Sequence, residues 1–86
     1  MTTSNDIRAE RAQAALQSYV ETKGEVFENS SSEIADLIAD LLHLATRLRE
    51  GENTAEEKVE RSLRLARMHF DAEHNNPEEE TAWPGQ

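Results

Sequence analysis

Apolar positions along the chain recur at helical spacing, and no stretch alternates apolar and polar residues as a half-buried strand does. Three helices are predicted. The first covers residues 6–23, with Ile7, Ala12, Ala15, Leu16, Tyr19 and Val20 on one stripe and Ser4 or Asn5 as the cap. Lys23-Gly24 stops it: a cation in the last turn, then a glycine free to take positive φ. Val26 and Phe27 follow in the connector, where they can pack as a plug.

The second helix carries the clearest pattern. Ser30 and Glu33 have capping-box spacing, and Ile34, Leu37, Ile38, Leu41, Leu42, Ala45 and Leu48 then follow in steps of three and one. Its polar positions, Glu33, Asp36, Asp40, His43, Arg47 and Glu50, form a stripe of their own. Acids lie early and cations late, as the helix dipole favours. Glu50-Gly51 is the expected end.

The third helix opens on a second capping box, Thr54 with Glu57, and runs to about His74. Val59, Leu63, Ala66 and Phe70 form one apolar stripe, and Leu65, Met68 and Ala72 another on nearly the opposite side. One neighbouring helix covers one such face, so the second needs helix one or a second subunit. Glu57/Arg61 and Glu60/Arg64 have the i,i+4 spacing of surface ion pairs.

The fold class expected is therefore all-α: a short N-terminal helix, then an antiparallel hairpin of two longer helices that dimerises into a bundle. Residues 1–74 make one small helical domain, and residues 75–86, with Glu78-Glu79-Glu80 and Trp83, read as a disordered acidic tail. Trp83 on such a tail is either a docking anchor or an unconstrained end residue.

Composition sharpens this picture. Eighteen Asp and Glu against nine Lys and Arg give a net charge of −9 over 86 residues. That balance opposes broad contact with nucleic acid or anionic lipid and favours a protein partner with a basic surface. Leu, Ile, Val and Phe total only 16, but 11 of them fall within residues 33–74, so the hairpin is the expected nucleus. A core so small is marginal alone. The chain has no cysteine, which excludes disulfides, thiolate metal sites and thiol catalysis. No signal peptide or membrane span is legible, so a cytoplasmic location is expected.

Several constellations could carry chemistry. Glu33, Asp36, Asp40 and His43 share a helix face, as oxygen and nitrogen ligands of a divalent cation would; a solvated acidic face has the same pattern. Asp40/His43 and Asp71/His74 repeat an Asp-x-x-His spacing close to that of di-iron bundles, but in a hairpin the two pairs stand far apart. No metal or cofactor is assigned on these grounds. Lys58, Arg61, Arg64 and Arg67 form a basic row, yet Glu56, Glu57, Glu60, Asp71 and Glu73 surround it, as on a salt-bridged solvent face.

Glu25-Val-Phe-Glu28 with Glu33-Ile-Ala-Asp36 resembles the carboxylate signature of the all-α nucleotide pyrophosphohydrolases of the MazG-like group. That resemblance implies Mg²⁺ held by Glu25, Glu28, Glu33 and Asp36, and phosphates gripped through it. The gap between the two halves is shorter than in that group, and no Lys or Arg lies inside the motif. A second resemblance covers residues 33–74. Asp36-Leu-Ile-Ala-Asp40-Leu-Leu-His43-Leu and Ala66-Arg-Met-His69-Phe70-Asp-Ala-Glu73 look like small proteins carried by proteobacterial plasmids and integrative elements. It implies an accessory protein of a mobile element and assigns no functional residue.

The function expected is that of a non-enzymatic acidic helical interaction protein. In its sharper form it inhibits a nucleic-acid-binding defence protein by presenting phosphate-like carboxylates: Glu33, Asp36 and Asp40, with Glu56, Glu57 and Glu60 as a second patch. Leu65, Met68 and Ala72 are the expected dimer face. The alternatives are the Mg²⁺-dependent hydrolase and a module whose main act is self-association.

Overall fold

A computed structural model describes residues 3–49, 51 and 53–75. Among them the protein is all-helical, with α1 at Ser4–Thr22, α2 at Ser31–Ala45 and α3 at Ala55–Asn75. The expected tail, including Trp83, lies outside the described residues from 76 onward.

Each helix starts with a reciprocal capping box. Thr3 caps α1: its hydroxyl accepts from the Asp6 amide and its own N–H donates to Asp6 Oδ2, each at 3.1 Å. This corrects the expected cap. Thr-x-x-Asp does the work of Ser-x-x-Glu, so α1 begins two residues early. At 19 residues it is longer than α2, with 15, and is not a short appendage. Ser30 and Glu33 form the predicted box on α2, and Thr54 and Glu57 the one on α3.

The stop after α1 follows the sequence. Gly24 has φ of 78°, its N–H donates to the Glu21 carbonyl, and the Glu25 N–H donates to that of Val20. These are the two bonds of a Schellman motif, which needs a left-handed residue at Gly24. α2 stops before the predicted Glu50-Gly51. Thr46 Oγ1 donates to the His43 carbonyl at 2.7 Å, and the chain tightens to i→i+3 bonds from Arg47 to Leu44 and Leu48 to Ala45. A threonine hydroxyl that takes a last-turn carbonyl competes with continuation of the helix.

α2 is the central element and contacts both α1 and α3. Apolar burial is sparse: Leu16 and Val20 on α1 and Ala45 on α2 are the buried hydrophobic residues among those described. Polar contacts supplement it. Asn29 reaches back to Gln13 on α1. The start of α1 meets the end of α3: Asn5 Nδ2 donates to the Glu73 carbonyl at 3.0 Å, and Arg8 Nε lies 3.3 Å from Glu73 Oε2. Glu73 has one of the last carbonyls of α3, which lack a partner within the helix, and a cation there suits the dipole.

Candidate functional site

Of the seven apolar positions expected in the hairpin core, Ala45 is buried and Leu37 and Leu42 are half-buried. Ile34, Ile38, Leu41 and Leu48 keep 49%, 46%, 51% and 41% of their surface open, and Leu44 keeps 55%. α3 engages its neighbours through Lys58, Val59, Ser62 and Leu65, all half-buried; Lys58 Nζ reaches the Thr46 carbonyl at 3.5 Å. Leu63, Met68 and Phe70 on α3 are exposed, as is Ile7 on α1. Of the two covers expected for the spare face of helix three, helix one or a second subunit, helix one leaves Leu63, Met68 and Phe70 open.

Among the described residues, α2 thus carries an open apolar stripe. At about 100° per residue, the four on α2, Ile34, Ile38, Leu41 and Leu44, lie within about 60° of Leu41 around the helix, and Leu48 follows beyond its end. The half-buried residues Leu42 and Thr46 fall to one side of the stripe, and Asp36 and Asp40, which meet α1, to the other.

The carboxylates predicted to form a binding surface are mostly engaged within the chain. Glu33 is buried; its Oε2 accepts from the Glu28 amide at 2.8 Å and its Oε1 from the Ser30 amide at 2.7 Å. Burial pushes its carboxyl up, but the amides of Glu28 and Ser30 and the Ser30 hydroxyl outweigh it and hold the group below its ordinary 4.5. The connector wraps this one carboxylate, with Asn29 at φ of 55°, a conformation that asparagine tolerates.

Asp36 and Asp40 belong to the joint with α1. The Tyr19 hydroxyl donates to Asp40 Oδ2 at 2.5 Å and lies 3.2 Å from the Asp36 carbonyl oxygen. Lys23 Nζ sits 4.7 Å from the centre of the Tyr19 ring, 3.2 Å from Glu25 and 3.7 Å from Asp36. The bond to Asp40, with partial desolvation and the Asp40 charge, pushes the Tyr19 phenol above 10.0 against the opposing pull of Lys23. Desolvation lowers Lys23, but Glu25, then Tyr19 and Asp36, outweigh it and raise the amine above 10.5.

In the second patch, Glu57 is held by the Thr54 amide and hydroxyl, which lower its carboxyl below 4.5. Glu56 and Glu60 are exposed. The predicted packing face on α3 divides, since Leu65 is half-buried while Met68 and Ala72 are exposed. Glu25, Glu28, Glu33 and Asp36 border one open depression, from which the Glu33 oxygens turn to the connector amides. Asp71 pairs with Arg67 at 3.1 Å, and His74 stacks on Phe70 with ring centres 5.5 Å apart. Among the described residues no group of three or more His, Asp or Glu is placed to hold a metal ion, and no helix is long and apolar enough to cross a membrane.

The Tyr19–Lys23–Asp36–Asp40 joint went unread in the sequence, because Tyr19 fits the apolar stripe of its own helix. The excess width of the apolar arc on α2 was the available signal for an open face. Comparison with protein-family models, with curated proteins and with solved structures finds no match.

Proposed function

We propose that the chain is a non-enzymatic helical interaction module that docks the open face of α2 onto another polypeptide. α2 and α3 serve as the two arms of an antiparallel hairpin, and α1 braces α2 from the side. The observation that carries this is the imbalance of apolar surface: among the described residues ten large hydrophobic side chains are exposed, against three buried hydrophobic residues. Covering the open half of the four on α2 contributes about 3–6 kcal/mol per chain, taking about 1.5–3 kcal/mol for a whole side chain. That is comparable with the entire net stability of a small domain. Contiguous apolar patches of this kind mark interaction sites.

Net charge acts on the rim. At −9 the chain repels acidic surfaces and favours a partner whose contact is apolar in the centre and basic around it. Glu56 and Glu60 are the free carboxylates for that role. Inhibition by phosphate mimicry gains little from Glu33, Asp36, Asp40 and Glu57, which already serve the fold. The hydrolase alternative loses Glu33 for the same reason.

The chain has no cysteine, so one introduced thiol reports on one position. Leu41→Cys and Val26→Cys chains are alkylated in a lysate of the cells that express them, each rate normalised to the unfolded chain. Val26 is 83% exposed and off the face. Docking predicts strong protection at position 41 and none at 26. Equal normalised rates would overturn the proposal.

A further inference from the structure

We draw no further inference here: the strongest candidate, the open apolar face of α2 formed by Ile34, Ile38, Leu41 and Leu44, carries nothing beyond the docking role already proposed, because nothing in the structure shows what covers it.

Discussion

Val20 is the one large side chain with no exposed surface among the described residues, and its truncation measures how firmly α1 is held. Val20→Ala removes two carbons, worth about 1.6 kcal/mol of transfer free energy at about 0.8 kcal/mol each. The space left behind adds to this when the surroundings do not collapse, which brings the cost to about 2–3 kcal/mol. For a chain of this size each kcal/mol lowers Tm by about 4–8 °C, so a fall of about 8–24 °C is expected. Leu63→Ala is the control. It removes three carbons, but Leu63 is 47% exposed, so its transfer cost stays near 1.2 kcal/mol. The assay is thermal melting by circular dichroism at one fixed protein concentration, because association itself shifts Tm. If Val20→Ala proves no more costly than Leu63→Ala, then α1 does not seat where described, and the joint with α2 is wrong.

Four further outcomes follow from particular contacts. The Glu33 and Glu57 carboxyls are held below 4.5, so the stability they contribute is fully present above that pH and is lost as pH falls through their folded values; acid titration of helicity should show this, and Glu33→Gln should flatten the loss while lowering stability at neutral pH. Tyr19 and Lys23 are raised above 10.0 and 10.5, so their contribution is present below those values and is lost as pH rises through the folded ones. Tyr19 is the single tyrosine, so its phenolate absorbance reports this directly, and Asp40→Asn should move the midpoint down toward 10.0. Ser30→Ala removes the cap of α2 and should cost about 1 kcal/mol in a denaturant melt. Gly24→Ala places a side chain at φ of 78° with no atom within 4 Å to clash with, so its cost is conformational alone, about 1 kcal/mol, and Gly24→Asn should recover part of it.

Much of the fold was legible because its signals are local. Ser30 with Glu33, Thr54 with Glu57, and Gly24 each act within a few residues, and the structure uses all three as the spacing implied. Thr3 with Asp6 is an equally local signal; taking Ser4 or Asn5 as the cap hid it, and Asn5 instead spends its amide on Glu73. Thr46 ended α2 early through one hydroxyl bond that a count of apolar positions does not register. The functional surface was harder to read. Helical periodicity says which residues share a face, but not whether that face meets a neighbour, and the stripe from Ile34 to Leu48 looked like core for that reason. Asp36 and Asp40 looked free because their partners, Tyr19 and Lys23, lie 13 to 21 positions away, beyond any local pattern.

The meeting of Asn5 and Arg8 with Glu73 has a topological consequence. The hydrogen bond between Asn5 and the Glu73 carbonyl joins positions 68 residues apart, whereas α1 and α2, and α2 and α3, are joined by short connections. Loop closure over that span comes at the greatest entropic cost and is expected late in folding. The ends of the helical region nevertheless finish side by side, so the chain path is nearly a ring. A short linker from the end of α3 to the start of α1, with a new opening at Gly51, would convert the clasp into a covalent bond and leave each helix intact. Such a permutant should fold to the same helical content, with the order in which its contacts form rearranged.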